Sequence, residues 1–505
     1  MVVPALIEKY AEKIHGVISF YDRLIVTGTL PPLSYPQGMA GYLLRAGIRF
    51  FDYAQFAQPL REQIRANAQA VAQESGISIE FISKRRAFRK EERIGEIVKQ
   101  RGSEPGLVHI FSAMEGCMSY AAHYDAETKR TTLQMKEGKC LHYYFYFIDS
   151  EFGLCYLRVP TWSPFRLQFY CNGHNWLARQ LEQAGIAYEL QDNAFVRIAD
   201  VGQANQLAAT FDVTRLHAKL DEAVARYMPV AAALQLTYTW SIMQAEYATD
   251  VIFKEQATLQ AIYPHLVERF IQAVKPADIA TFLGRKLHGN FQDEAGNRLN
   301  QRWLGTRLKH QMGPVAIKLY DKFGLILRIE TTVNDVSFFD DLRIVQQRDG
   351  TQTLKRAKLK KSIYSLPTLQ QKLQAANERY LLFLSAFQTP ELGVAKLQQL
   401  TATVNDNDHR YKGFHLLDEE DTSIFRALLR GEFAIAGFTN KLLRQALPDK
   451  NSGQITRLLK RLHLHGLVKR IGRTYKYYLT VFGRQAATLA LMLRTLHVIP
   501  ALAAA

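Results

Sequence analysis

The chain has 505 residues, with 64 Lys and Arg against 47 Asp and Glu, and its net charge of +17 favours a polyanionic partner over a basic one. With 48% hydrophobic and 11% aromatic residues it is a folding sequence of several domains, which excludes a disordered chain. The apolar runs "YYFYFI" and "MPVAAALQL" are far shorter than the roughly 20 residues that cross a bilayer, and the N-terminus lacks the pattern of a secretory signal.

The expected location is therefore the cytoplasm, with no membrane contact. The expected partner is nucleic acid, DNA ahead of RNA, and the sequence leaves room for a homodimer. The four cysteines, Cys117, Cys140, Cys155 and Cys171, lack a C-x-x-C spacing and read as thiols in a reducing compartment.

Residues 1–105 read as a mixed α/β segment. They open with "IHGVISFYDRLIVTGTL", an alternating strand that carries Asp22 and Arg23, followed by two helical stretches and the basic helix start "SKRRAFRKEER". Residues 106–210 read as an α+β sheet domain. In it a strand "GLVHIFSAME" and a hairpin "KCLHYYFYFIDSEFGLCYLRVPTW" precede a helical pattern in "FRLQFYCNGHNWLARQLEQAGI", a strand pair "AYELQDNAFVRIAD" and a helix from Gly202. Residues 211–285 read as mainly helical. In 286–400 a basic loop leads into the hairpin "IKLYDKFGLILRIETTVNDVSFF", two further strands turning at 348–350, and a helix near 366–388. Residues 401–419 are polar enough for a linker, and 420–496 form the last domain. The predicted architecture is α+β and multidomain, with two sheet-containing segments flanking a helical one and a C-terminal winged helix-turn-helix.

The charges threaded through the hairpin at 317–339 are its most informative feature. Asp149, Glu151, Asp321, Glu330 and Asp335 lie at or beside hairpins, where rigid strands can bring two or three carboxylates together around Mg²⁺, with Asp321 and Glu330 as the expected ligands. Arg158, Lys318, Lys322 and Arg328 would neutralise phosphates. The competing reading is ordinary cross-strand ion pairing, worth about 0.2–1 kcal/mol per pair. Whether the acids converge is left open. Tyr143, Tyr144, Tyr146 and Tyr156 beside Arg158 can stack unpaired bases or fill a core.

In the last domain, "SIFRALLRGEFAIAGFTNKLLRQALPDKNSGQITRLLKRLHLHGLVKRIGRTYKYYLT" places helices near Thr422 and Thr439. A third is capped by Asn451 or Ser452 and ended by Gly466, and a two-stranded wing turns at Gly472. Ile455, Leu458, Leu459 and Leu462 face inward. Gln454, Arg457, Lys460 and Arg461 fall on other faces and can reach base edges, while Lys469, Arg470, Arg473 and Lys476 on the wing can hold phosphates. His463 and His465 sit at the helix end, where imidazole suits the dipole, so they are not read as metal ligands.

This run resembles the winged-helix domains of MarR-like regulators over roughly 420–490. "IKLYDKFGLILRIETTVND" resembles a segment of phage and plasmid replication initiators, which implies nicking and joining of DNA through a tyrosine with a metal held by His and an acid. "HIFSAMEGC", "CLHYYFYFIDSEFGLCYLRVPTW", "FLGRKLHGN" and "KHQMGPVAIKLYDKFGLILRIETTVNDVSFF" together resemble a bacterial family associated with mobile elements, which brings no established mechanism with it. The leading expectation is a nucleic-acid-binding protein of mobile-element type, to which a convergent carboxylate cluster would add metal-dependent strand cleavage or transfer. The alternative is a non-catalytic winged-helix transcriptional regulator or a structured-RNA-binding protein.

Overall fold

The computed structural model describes residues 4–83, 88–286, 294–302, 305–347, 350–386, 390–472 and 474–503. It divides into two compact units, Met1–Phe387 and Gln388–Ala505. Arg473 and part of the 348–350 turn lie outside the described residues.

The first unit runs α1 (Ala5–Lys9), β1 (Ile14–Thr29), α2 (Pro36–Arg45), α3 (Tyr53–Glu74), β2 (Ile79–Ile82), α4 (Lys90–Arg101), β3 (Gly106–Asp125), β4 (Arg130–Asp149), β5 (Gly153–Pro160) and β6 (Leu167–Asn172). It continues with α5 (Gly173–Gln183), β7 (Tyr188–Gln191), β8 (Ala194–Ile198), α6 (Val201–Ala209), α7 (Val213–Tyr227), α8 (Val230–Ala233), β9 (Thr239–Phe253), α9 (Gln256–Ala273) and α10 (Pro276–Phe282). Then follow β10 (Ala295–Arg302), β11 (Gly305–Met312), β12 (Val315–Lys322), β13 (Ile326–Val333), β14 (Asp340–Gln346), β15 (Gln352–Lys358) and α11 (Leu366–Ala386).

Eleven of these strands form one sheet in the order β10-β11-β12-β13-β9-β1-β6-β5-β4-β3-β2. All its pairings are antiparallel except β2 with β3. The mixed α+β class expected from the sequence holds, but the expected division does not. The segments 106–210 and 286–400 are two halves of one sheet, joined through β1 from the N-terminal segment and β9 from the segment read as helical. β9 escaped the reading because nine consecutive residues at its end are buried on both faces, so "TWSIMQAEYATDVIF" lacks the alternation of a half-exposed strand. β3 also runs ten residues beyond "GLVHIFSAME", pairing with β4 as a long ribbon. "LQFYCN" is strand β6 before the helical pattern begins, and the stretch before the 317–339 hairpin is the strand pair β10–β11.

One face of the sheet, the back, is sealed by helices. Leu366, Leu369, Leu373 and Tyr380 of α11 join its core, and Asn377 donates to the carbonyls of Tyr247 and Ile329 while accepting from Thr331. His310 of β11 belongs to the same layer. It donates through Nδ1 to Asn297 Oδ1 and accepts from the Tyr380 hydroxyl at 2.8 Å, so it is held neutral. Burial pushes this imidazole down to about 4. As the pH falls from the ordinary histidine range to about 4, the unfolded chain takes up a proton that the folded one refuses, which removes roughly 3 kcal/mol of stability. Melting temperature followed against pH is therefore expected to fall steeply in that window, and less steeply in His310→Gln.

The second unit comprises α12 (Pro390–Thr401), β16 (Val404–Asp406), β17 (His409–Tyr411), α13 (Glu419–Leu428), α14 (Gly431–Ala436), α15 (Asn440–Ala446), α16 (Ser452–Leu464), β18 (Val468–Arg470), β19 (Tyr477–Leu479), α17 (Val481–Met492) and α18 (Ile499–Ala503). Residues 401–419 are no bare linker. They form the β16–β17 hairpin and insert Phe414 into this unit's core. Thr439 caps α15, Asn451 and Gln454 form a capping box on α16, and β18 pairs with β19. The helical path Val481–Ala503 is 23 residues long and apolar enough by length and composition to cross a membrane, with 17% of its apolar window buried. The short apolar runs of the sequence predict no such helix; this one contains Arg484, Arg494 and His497 and so shows no long uninterrupted run.

Candidate metal centre on the sheet face

The opposite, front face of the central strands carries charge. Alternation places Glu246 and Asp250 of β9, Arg328, Glu330 and Thr332 of β13, and Lys318, Tyr320 and Lys322 of β12 on that face. β1 contributes through a bulge. Tyr21 pairs with Tyr247 and Arg23 with Glu246, so Asp22 is an extra residue with no partner across the ladder. A bulge re-aims a side chain, and here it turns Asp22 toward Glu246 and Glu330. One carboxylate oxygen from each of the three lies within 4.8 Å of the others, and all three residues are buried.

Two sets of contacts hold the cluster. Around Asp22, His174 donates to Oδ1 at 3.0 Å, Asn193 donates to Oδ2 at 2.7 Å, and the Arg328 guanidinium lies 3.5 Å away. Burial opposes ionisation of Asp22, but Arg328 and His174 outweigh it and hold the carboxyl well below the usual range. Arg328 is fully buried, grips Asp250 through two hydrogen bonds of 2.6 Å and donates to the Asn193 carbonyl. Burial still pushes the Asp250 carboxyl up.

Around the other two acids, Lys318 bridges Glu246 and Glu330, Tyr320 donates to Glu330, Thr332 lies 3.3 Å from Glu246, and Arg23 lies 3.7 Å from it. Burial and the Glu330 charge push the Tyr320 hydroxyl up, which keeps it a donor. His174 is placed by Gly173 at the start of α5. A Cβ on Gly173 would come within 2.0 Å of the Tyr21 carbonyl oxygen, so only glycine lets α5 approach β1 this closely.

Of the acids expected to act, only Glu330 belongs to this group. Asp321, its expected partner, points to the other face of β12, where Oδ1 has no hydrogen-bond partner. Asp149 shapes the β4–β5 turn by accepting from the amides of Glu151 and Phe152 and lies 3.5 Å from Lys219. Glu151 lies 3.6 Å from Arg215. Asp335 accepts from Ser337 and Lys361. The expected phosphate cations are committed too: Lys318 and Arg328 inside the cluster, Lys322 3.4 Å from Asp192, and Arg158 in a two-bond pair with Glu115.

In the second unit Arg461 is buried, bonded to Asp421 and to the carbonyls of Lys412 and Gly413, so it faces inward and not outward as expected. Gln454, Arg457, Lys460, Lys469, Arg470 and Lys476 are exposed, with Lys460 paired to Asp406. His465 is buried and bonded to the carbonyls of Arg461 and Ala402, consistent with a structural histidine. All four cysteines are free, three of them buried.

Next to the centre lies a cleft of about 410 Å³ between α4 and strands β4 to β6. Asp22, Arg23, His174 and Asn193 close one end, and Tyr146, Tyr156 and Tyr170 line its sheet side. The chain matches no protein-family model, no curated protein and no solved structure.

Proposed function

We propose that this protein is a nucleic-acid-processing enzyme that uses a divalent cation, Mg²⁺ or Mn²⁺, held by Asp22, Glu246 and Glu330 to cleave or transfer a phosphodiester strand. The observation that carries the reading is the convergence of three buried carboxylates, one delivered by a bulge, on strands whose other face is sealed. Buried acids without a cation to hold them together are costly, and hard oxygen donors in this number suit Mg²⁺ or Mn²⁺. The cation would polarise a phosphoryl oxygen, and Arg23, partly exposed beside the cluster, would compensate part of a phosphate's remaining charge. Electron paramagnetic resonance of added Mn²⁺ tests this directly. Binding at stoichiometric protein supports the centre, and a spectrum of free Mn²⁺ throughout the titration would sink it.

One observation favours a second reading. Lys318 already bridges two of the three acids, and with Arg23 it can serve as the resident cation of a structural ion cluster. In that case Mn²⁺ finds no site, and the protein is a binding module.

The second unit fits a winged helix, with α15 and α16 as the helix pair and β18–β19 as the wing. On this reading Arg457 and Gln454 face the major groove, and Lys469, Arg470 and Lys476 hold phosphates. Replacing Lys469 and Arg470 by Ala is expected to weaken duplex binding on every sequence and to lower the salt slope by about two. Arg461→Ala should instead unfold the unit at lower denaturant. An unchanged slope in the double variant, read by fluorescence anisotropy at several salt concentrations, argues against the wing assignment.

A further inference from the structure

We propose that the cleft beneath α4 is a pocket for one unpaired nucleobase, which makes single-stranded nucleic acid the substrate class of the acidic centre. The inference rests on the metal-centre reading for what happens to the strand, but its own evidence lies in the cleft. The sheet wall is a row of rings. Tyr156 and Tyr170 are stacked with centroids 5.0 Å apart and planes 3° apart, and Tyr146 follows 5.1 Å from Tyr156. Ile94 and Val98 of α4 form the facing apolar wall. The tyrosine faces are taken up by one another and by Arg23, so a flat ring in the slot meets their edges on one side and the aliphatic wall on the other, an edge-to-face contact that any base can make.

The closed end of the slot is polar and incompletely satisfied. Asn193 Oδ1 is a buried atom with no hydrogen-bond partner, although the Asn193 Nδ2 is bonded to Asp22 and its carbonyl to Arg328, whereas Arg23 Nε is turned to Glu246 at 3.7 Å. An unpaired acceptor at the end of a flat apolar slot matches an N–H on the edge of a base. Glu91 at the α4 side adds a second acceptor for an exocyclic amine. A volume of about 410 Å³ is within the range of small-ligand sites.

Asp22 belongs both to this cleft and to the carboxylate triad, so a base seated here places its sugar-phosphate beside the centre. Arg23, whose guanidinium lies 5.7 Å from the Tyr170 ring, stands between the two. A base stacked and paired within a duplex cannot reach such a slot without leaving the helix.

The test is photocross-linking of the full chain to a short single strand carrying one 5-iodouracil, with the adduct mapped by mass spectrometry. The expected adduct lies on Tyr156 or Tyr170 and is competed by unlabelled single strand but not by duplex. Tyr170→Ala should weaken binding of the strand about 5- to 100-fold, while Tyr170→Phe keeps it. Adducts confined to the C-terminal unit, or equal competition by duplex, overturn the pocket. The Mn²⁺ titration on the same sample separates the two ideas. Mn²⁺ binding without a cleft adduct overturns the pocket and keeps the metal centre, whereas a cleft adduct without Mn²⁺ binding upholds the pocket and removes the metal.

Discussion

Glu330→Gln is expected to abolish both Mn²⁺ binding and any metal-dependent strand cleavage while leaving the chain folded. The substitution keeps the side chain's shape and its ability to accept from Tyr320, but removes one of the three negative charges within 4.8 Å of one another. Losing a group that only orients a ligand costs 10- to 100-fold in metal affinity, and losing a ligand costs more, so a drop beyond about 100-fold is expected. Asp321→Ala, on the far face of the same strand pair, should change neither quantity. Lys318→Ala separates the catalytic from the structural reading. Without the ammonium that bridges Glu246 and Glu330, the protein should melt at a lower temperature in EDTA and recover on addition of Mn²⁺. A melt that falls and is indifferent to Mn²⁺ would show that the lysine alone is the cation of the cluster.

Arg328→Met should cost about 3–5 kcal/mol of folding stability, read by urea denaturation, because it strands buried carboxylates whose counter-charge it removes. Arg328 is fully buried, bonded twice to Asp250, 3.5 Å from Asp22 and bonded to the β7–β8 turn through the Asn193 carbonyl. The loss should depend on pH in a defined direction. Burial already pushes the Asp250 carboxyl up against the pull of Arg328, so without the arginine Asp250 is expected to fold protonated. Stability of the variant is then retained at acid pH and lost as the pH rises, and its deficit against the parent narrows on acidification. A deficit that is constant with pH would mean that packing, and not charge, is what Arg328 contributes.

The hairpin at 317–339 shows how far sequence could reach. Its strands, its turn and the oddity of its charges are visible because strand alternation and charge are local, and Glu330 was singled out on that basis. Asp321 pairs with it in the sequence because both lie in the same hairpin, yet alternation sends Asp321 to the other face. Asp22 was visible as a charge inside an apolar strand, but nothing local connects it to a strand more than 300 residues away. Glu246 lay in a stretch without alternation and so passed as helix. The C-terminal helices, their caps and the hairpin after them were legible because each is built from neighbours in sequence. Arg461 was not, since a helical face that looks solvent-exposed can be covered by a segment such as 412–414.

The pairing of Ile14 with Phe253 has a consequence for the protein as it is made. β1 leaves the ribosome early, but the strand that completes one of its edges does not exist until the chain has grown well past that point. At about 5–20 residues per second the wait is roughly 10–50 s. During synthesis the first strand therefore carries an open edge of unpaired backbone N–H and C=O groups. The last of the three carboxylates arrives later still, on β13. A truncated translation product ending before that strand would lack Glu330 and with it one of the three carboxylates of the proposed cation site.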